Sequence, residues 1–186
     1  MEIIKLIGVI IAISVLGCVN QKKEAKDFNH KKVIDTITKI EINIAPKNKS
    51  NVSGTIVFIE EEGMVSMEAN LIGLTEGVHA IHINEKSDCT SFDGKFIGSH
   101  RNPTMESDAK WKVKERYHKG DIGNFKADSN GNGHITFATN DWCIGCDDDK
   151  KNIVGKAIII YQGIDDYTSQ PFGTSESIVI CGGIIQ

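Results

Sequence analysis

The segment Gly77–Asn84 (GVHAIHIN) contains the residues best suited to metal chemistry. Side chains alternate across a β-strand, so His82 and Asn84 point to one face and His79 points to the other. Two polar side chains at positions i and i+2 of a strand can form half of a metal site, and the remaining ligands must then come from other segments. We expect His79 to make structural hydrogen bonds instead of binding a metal.

Residues 86–120 contain most of the other candidate ligands. The segment has few apolar residues and no strand alternation, and a loop of this length inside a compact domain is usually functional or disordered. Imidazole, thiolate and carboxylate groups are the usual ligands of zinc. Counting the aspartate at the loop exit, such groups occur at Cys89, His100, Asp108, His118 and Asp121. Their concentration predicts an ordered metal-binding loop, and the alternative is a mobile insertion without a metal.

The elements that must position these residues are β-strands. Apolar and polar residues alternate with a period of two along most of the chain, and no segment has a convincing helical pattern. Turns at residues 60–63 and at the Gly/Asn-rich residues 128–133 separate neighbouring strands. The predicted strands are 40–44, 55–58, 65–71, 80–85, 123–127, 134–138, 153–161 and 177–180. About eight short strands of this kind predict an all-β fold, as an antiparallel sandwich or barrel.

The N-terminal residues predict export from the cell. Lys5 precedes the almost wholly apolar residues 6–17, a run that suits a signal peptide but is too short to span a bilayer comfortably. Residues 15–18 (VLGC) have the form of a bacterial lipobox. We therefore predict a signal peptide at 1–17, a lipidated Cys18 with a flexible tether over 18–35, and one domain at 36–186. The domain would be anchored in the cell envelope and face the periplasm or the exterior. The alternatives are an uncleaved membrane anchor or an ordinary buried cysteine at position 18.

Charge and cysteine content narrow the function classes. The net charge is -4 and no basic patch occurs, which argues against a nucleic-acid partner. Four cysteines remain besides Cys18, and in an exported protein they are expected to form disulfides in one of three pairings. Cys143 and Cys146 have C-x-x-C spacing, but the aspartates at 141 and 147–149 disfavour a thiolate. A short disulfide is therefore expected there, and a copper-handling or thiol-based binding module is the alternative.

Six ordered segments resemble the Cu/Zn superoxide dismutase family over residues 36–186. They are the strand motif at 77–84, Cys89, and residues 98–103, 118–124, 155–166 and 181–183. The resemblance implies a Greek-key β-sandwich or flattened barrel with a long metal-binding loop. It also implies a disulfide between Cys89 and Cys181, and it makes Asp165 the carboxylate that links the two metal sites.

The copper half of the family's site is altered in this chain. The family holds copper with four histidines, of which His82 and the zinc-bridging His100 match. Asn84 and Tyr161 occupy the other two positions, and Ile178 replaces the arginine that faces the copper channel. An amide oxygen is a poorer copper ligand than an imidazole, and a phenol with an ordinary pKa of about 10 is costly to ionise. No residue is therefore assigned a catalytic role, and copper is expected to bind weakly or not at all.

The zinc half is better preserved. His100, His118 and Asp121 match ligand positions directly, and Asp108 stands where the family has a histidine. Zinc accepts carboxylate ligands but has no redox chemistry, so zinc alone cannot dismutate superoxide. The resemblance thus implies an envelope lipoprotein of the superoxide dismutase family that retains zinc and in which superoxide dismutation is weak or lost. The alternative is an active enzyme that converts superoxide to oxygen and hydrogen peroxide with unusual copper ligation that includes Tyr161. The lipid would bring the protein to a membrane, and the sequence leaves open whether the chain forms a homodimer.

Overall fold

Nine β-strands form the fold, in a computed structural model that describes residues 37–93, 96–106, 117–167 and 177–186. Within these ranges the chain contains no helix. The strands are β1 (Thr38–Glu41), β2 (Ala45–Pro46), β3 (Ser53–Glu61), β4 (Met64–Ile72), β5 (Gly77–Asn84), β6 (Asp121–Ala127), β7 (Gly133–Thr139), β8 (Ala157–Gln162) and β9 (Ile178–Gly183). The described residues all belong to one compact unit, Ile34–Gln186.

The strands pair antiparallel in one sheet, in the order β1-β3-β4-β7-β6-β5-β8-β9-β2. Strand β5 has β6 on one edge and β8 on the other, so the predicted metal strand is held on both sides. The sheet curls, and side chains from distant strands, such as Ile40 of β1, Phe58 of β3 and Ile180 of β9, share one core. The predicted all-β antiparallel fold with Greek-key order is confirmed.

Alternation along the strands decides which side chains enter the core. Every second residue of β4 is buried, and these residues are Val65, Met67, Ala69 and Leu71. Strand β8 is buried on both faces, because a second apolar cluster covers its other side. This cluster contains Ile97 from the long loop together with Tyr161 and Ile178. The loop therefore packs over β8 and β9 at Ile97, beside the predicted copper-side positions.

Several predicted strand ends are wrong by two or three residues, and two predicted strands differ from the structure by more than this. The strand expected at 153–161 begins only at Ala157, because the preceding residues turn at Gly155, whose φ of 83° is a left-handed conformation that favours glycine. The strand expected at 40–44 is divided into β1 and β2. Between these two strands the amide of Ile42 still donates a hydrogen bond of 2.8 Å to the carbonyl oxygen of Ile56, so the pairing with β3 continues without a regular strand.

Two disulfides connect the four cysteines of the domain. Cys89 and Cys181 join the long loop to β9 across 92 residues, and Cys143 and Cys146 close a short turn after β7. This is one of the three pairings that the sequence permits. Beside the short disulfide, Trp142 is buried and donates its ring N–H to the carbonyl oxygen of Lys119 at 2.7 Å.

The N-terminal predictions lie outside the described residues. The signal peptide, the lipidated Cys18 and the tether therefore remain predictions, and so does Asp108 as a zinc ligand. In the part of the chain that the structure describes, no helical segment has the length and apolar character needed to cross a membrane.

Candidate metal centre

Strand β5 places the predicted copper-side residues inside the protein. His82 and Asn84 are fully buried, and the long loop returns along the end of the strand, where Asn84 pairs with His100 in an isolated antiparallel bridge. Both ring nitrogens of His79 lie within 3.0 Å of backbone carbonyl oxygens. His79 therefore has the structural role expected for the opposite face of the strand.

Three backbone segments meet below the site and hold its ligands together. The amide of Ile83 donates a hydrogen bond of 2.8 Å to the carbonyl oxygen of Gly120, and the amide of Gly120 donates one of 2.9 Å to the carbonyl oxygen of Arg101. The amide of Arg101 in turn donates a hydrogen bond of 2.8 Å to the carbonyl oxygen of Ile83. A Cβ atom at position 120 would lie 2.2 Å from the carbonyl oxygen of Ile83, so only glycine permits this approach. The candidate ligands adjacent to these three residues are His82, His100 and Asp121.

The predicted zinc ligands His100, His118 and Asp121 form one buried cluster. Nδ1 of His100 lies 3.2 Å from Oδ1 of Asp121, and Nδ1 of His118 lies 3.7 Å from the same oxygen. Zinc binds histidine nitrogen and carboxylate oxygen at about 2.0–2.2 Å, so ligand atoms of one tetrahedral ion lie roughly 3.3 Å apart. The three side chains thus have the spacing and the donor types that a zinc ion needs.

The environment of Asp121 supports this assignment. Burial raises the pKa of its carboxyl group to about 6, although the neighbouring histidines act in the opposite direction. One oxygen accepts a hydrogen bond of 2.9 Å from the amide of His118, while the other, Oδ1, has no hydrogen-bond partner. A buried carboxylate oxygen without a partner is destabilising, and a metal ion between it and the two imidazoles would remove that cost.

A second cluster lies on the other side of His100. The ring centroids of His82 and His100 are 3.8 Å apart, and Nε2 of His82 is 2.9 Å from Oδ2 of Asp165. The ring of Tyr161 lies 5.6 Å from that of His82 and 6.3 Å from that of His100. The Asn84 amino group donates to the carbonyl oxygen of Gly98 at 2.8 Å and lies 3.5 Å from the Tyr161 hydroxyl. The structure thus brings the predicted copper-side residues into one pocket.

The sequence profile described as copper/zinc superoxide dismutase matches residues 52–184, which is well over half of the chain. The chain belongs to the copper/zinc superoxide dismutase family. An extracellular Cu-Zn superoxide dismutase of Drosophila melanogaster is 30% identical over 151 residues, which cover 76% of this chain and 81% of the relative. An extracellular Cu-Zn superoxide dismutase of Brugia pahangi is 28% identical over 134 residues, which cover 70% of this chain but only 64% of the relative.

Solved structures share the fold. A mutant of a superoxide dismutase-like protein from Bacillus subtilis superposes with a TM-score of 0.68 at 23% identity, covering 78% of this chain and 97% of the other. The clock protein EA4 superposes with a TM-score of 0.67 at 24% identity, covering 81% and 96% of the two chains. At these identities the likeness concerns the fold alone.

Asn84 and Tyr161, at the copper positions of this superoxide dismutase-family chain, are neutral like imidazole but are weaker copper donors. Burial raises the pKa of the Tyr161 phenol well above its ordinary value of 10, so the hydroxyl is neutral at physiological pH. The amide of Asn84 is engaged with Gly98, and Ile178 lies opposite Tyr161 in the β8–β9 pairing. The pocket therefore contains two imidazoles, a neutral amide and a neutral phenol, with no cation at position 178.

His82 has the protonation state that a metal ligand needs, and the adjacent Asp165 is ionised. Burial lowers the pKa of the His82 ring, although the nearby Asp165 acts in the opposite direction, so the neutral imidazole is favoured. Burial alone would raise the pKa of Asp165, but its contacts with His82 and with the amide of Tyr167 hold that pKa below its ordinary value. A neutral imidazole thus faces a carboxylate.

Two residues beside the site, the buried Arg101 and the half-buried Asn124, have no role in the sequence-based prediction. Arg101 is 1% exposed, and its Nη2 donates to the carbonyl oxygen of Asp149 at 2.9 Å, which ties the metal loop to the turn closed by the short disulfide. Asn124 donates to the carbonyl oxygen of Asp165 and accepts from its amide, each at 2.9 Å. Both residues act through distant backbone groups, and no local pattern in the sequence reveals such partners.

Proposed function

We propose that the chain is a zinc-binding member of the superoxide dismutase family in which copper-dependent dismutation of superoxide is weak or lost. The observation that carries the proposal is the copper-side pocket, where the buried neutral phenol of Tyr161 and the engaged amide of Asn84 stand at histidine positions. Copper(II) prefers tetragonal nitrogen ligation. Two imidazoles, one of them shared with zinc, provide only half of that ligand set.

The zinc side supports the other half of the proposal. His100, His118 and Asp121 are buried, and their ligand atoms lie within 4.8 Å of one another. Bound there, zinc would stabilise the folded loop, but it would not transfer electrons. Ile178 further lowers the expected activity, because fast reactions with small anions depend on positive charge near the site.

The test is to load the full chain with copper and zinc and to measure both the metal content and the superoxide turnover. About one zinc at the His118 side, little copper and little turnover are expected. Turnover near the efficiency typical of fast enzymes, about 10⁸–10⁹ M⁻¹s⁻¹, would overturn the proposal. The alternative of an active enzyme with a Tyr161 phenolate ligand is less well supported, because burial favours the neutral phenol.

A constructive experiment tests the assignment of the pocket. The triple change Asn84→His, Tyr161→His and Ile178→Arg supplies the two missing imidazoles and the missing cation, and it should give tight copper binding. The matched control is Ile178→Arg alone, which restores the cation without the ligands and should leave copper binding weak. Unchanged copper affinity in the triple variant would contradict the assignment of these positions.

The proposed location is the cell envelope, with the domain outside the cytoplasm and anchored by lipid at Cys18. Two observations support export: the apolar residues 6–17, and relatives that are named extracellular superoxide dismutases. The mass of the protein from membrane fractions should include a diacylglyceryl group on Cys18. The Cys18→Ser variant should lack this mass, and an unmodified Cys18 in the natural chain would contradict the anchor.

A further inference from the structure

We propose that the turn closed by the Cys143–Cys146 disulfide positions the two chain segments that carry the histidines of the zinc site, and that this disulfide thereby controls how tightly the chain holds zinc. We call residues 141–152 the disulfide turn. The inference rests on the proposed zinc function, because His100 and His118 are the ligands that the turn would position. The residues of the disulfide turn are positioning residues, which act on zinc through these two histidines.

The first contact of the disulfide turn lies beside Cys143. Trp142 is 2% exposed and donates its ring N–H to the carbonyl oxygen of Lys119 at 2.7 Å. Its ring packs against that of Phe137, with 4.9 Å between the ring centroids. Because the ring is held in the core, its buried N–H fixes the position of the carbonyl group that accepts from it. Lys119 directly follows His118, so this contact holds the backbone next to a zinc ligand.

Asp141 holds the same segment through its side chain. The Tyr117 hydroxyl donates to Oδ2 of Asp141 at 2.5 Å, and Nζ of Lys119 lies 3.2 Å from Oδ1. Burial alone would raise the pKa of Asp141, but its contacts with Tyr117 and Lys119 hold that pKa below its ordinary value. The ionised carboxylate therefore contacts the residues on both sides of His118.

Arg101 connects the other end of the disulfide turn to the residue after His100. Its Nη2 donates to the carbonyl oxygen of Asp149 at 2.9 Å and to that of Asn152 at 3.3 Å. The side chain is 1% exposed, and within the described residues Nε and Nη1 have no hydrogen-bond partner. Displacement of the turn would leave a buried guanidinium without acceptors, which is costly. The turn and the segment that carries His100 are therefore expected to move together.

The disulfide joins these two sets of contacts. Cys143 directly follows Trp142, which holds the segment of one histidine. The carbonyl oxygen of Cys146 accepts a hydrogen bond of 2.9 Å from the side chain of Asn152, whose own carbonyl oxygen accepts from Arg101. The bond between the two cysteines thus restricts the open conformations in which either set of contacts is broken.

The size of the effect follows from the size of the loop. Ligands that are already held in place bind an ion more tightly, because the cost of ordering them is not incurred on binding. The sequence separation of the two cysteines is 3, and on the loop-entropy estimate a cross-link of this size changes the equilibrium between the closed and the open turn by roughly tenfold. Loss of the disulfide should therefore raise the zinc dissociation constant by up to about tenfold. The fold should survive, since the amide of Ile153 still donates to the carbonyl oxygen of Cys143 at 3.0 Å.

The first test replaces both cysteines of the turn by serine in the full chain and measures zinc affinity by competition with a chelator. The zinc dissociation constant should rise by about three- to tenfold at a temperature at which the variant is folded. The matched control is Ile56→Val, which lowers stability by a comparable amount at a fully buried position of β3 and should leave zinc affinity unchanged. A dissociation constant of the folded serine variant within about twofold of that of the natural chain would overturn the inference.

The second test removes one contact without touching the disulfide. Trp142→Phe keeps an aromatic ring but lacks the N–H that Lys119 accepts, so zinc affinity should fall several-fold. Combined with the serine pair, this change should weaken binding by less than the product of the two separate factors, because both act through the same turn. Fully multiplicative effects would contradict the proposed route. Trp142→Phe also carries the first test if the serine variant does not fold.

Hydrogen exchange of the zinc-free protein separates this inference from the proposed zinc function. The amide of Gly120, which donates to the carbonyl oxygen of Arg101, should exchange several-fold faster in the serine variant than in the natural chain or in Ile56→Val. If zinc binds the natural chain but neither its affinity nor this exchange responds to the serine pair, the inference fails while the zinc function stands. If no zinc binds, the zinc function fails and zinc control with it, whereas exchange at Gly120 still decides whether the disulfide turn positions these segments.

Discussion

At the scale of single residues, Tyr161 is defined by its burial. The phenol is 4% exposed, and burial raises its pKa well above 10. The folded protein therefore keeps this proton above pH 10, whereas the unfolded chain loses it. The folded state binds more protons in that range, so the free energy of unfolding should fall by up to about 1.4 kcal/mol per pH unit above pH 10.

Denaturant unfolding measured from pH 8 to pH 11 checks this prediction. Tyr161→Phe cannot ionise, so its stability should fall less steeply above pH 10 than that of the natural chain. Absorbance of tyrosinate should show one tyrosine that ionises well above pH 10 in the folded protein, and this step should be missing in Tyr161→Phe. Identical pH profiles for the variant and the natural chain would contradict the prediction.

Close backbone contacts require glycine at position 120. Because a Cβ atom there would lie 2.2 Å from the carbonyl oxygen of Ile83 and 2.8 Å from the amide nitrogen of Arg101, Gly120→Ala must push backbone segments apart. We expect a loss of about 1–3 kcal/mol or more in the free energy of unfolding, together with loss of zinc. Denaturant unfolding and zinc content measure the two effects.

A matched control for this change is available in the β3–β4 turn. A Cβ atom at Gly63 would meet nothing within 4 Å, and Asn tolerates the left-handed φ of 75° at this position. Gly63→Asn should therefore cost little stability and keep the zinc. Loss of zinc in both variants would mean that the effect at position 120 is not specific to the three-segment contact.

At the scale of elements, the two disulfides should contribute unequally. Cys89–Cys181 closes a loop of 92 residues and Cys143–Cys146 a loop of 3. On the loop-entropy estimate, the first is worth about 4.6 kcal/mol and the second about 1.6 kcal/mol. The paired changes to serine, two cysteines at a time, should lower the free energy of unfolding in that order. Equal losses would contradict the prediction.

At the scale of the whole molecule, zinc should act on stability through mass action. An ion that binds only the folded state at about 1,000 times its Kd adds about 4 kcal/mol. For a domain of this size the corresponding rise in Tm is roughly 10 °C. Calorimetry with zinc and with a chelator measures the difference, which should shrink in Asp121→Asn. A Tm that does not respond to zinc would contradict the prediction.

At the scale of the whole molecule, the sequence predicts some strands and site residues but not others. Period-two alternation was sufficient for β4, because one face of that strand is buried and the other exposed. It failed at the start of β8, where Ile153 is buried in a turn and apolar character alone cannot distinguish turn from strand. The metal loop could be predicted from its concentration of ligand-type residues, and the ligands His100, His118 and Asp121 from the resemblance to the family. The roles of Arg101 and Asn124 could not be predicted, because their hydrogen-bond partners are backbone groups that only the folded chain brings near.

The contact of Ile83, Arg101 and Gly120 has a consequence for how the family can change. These hydrogen bonds join backbone groups only, so they do not depend on which side chains stand on the neighbouring residues. A histidine can be exchanged for an asparagine or an aspartate while its Cα atom stays in place. This backbone contact should therefore keep the neighbouring Cα atoms in place when a side chain of the site is substituted, which makes the chain a suitable host for designed metal sites.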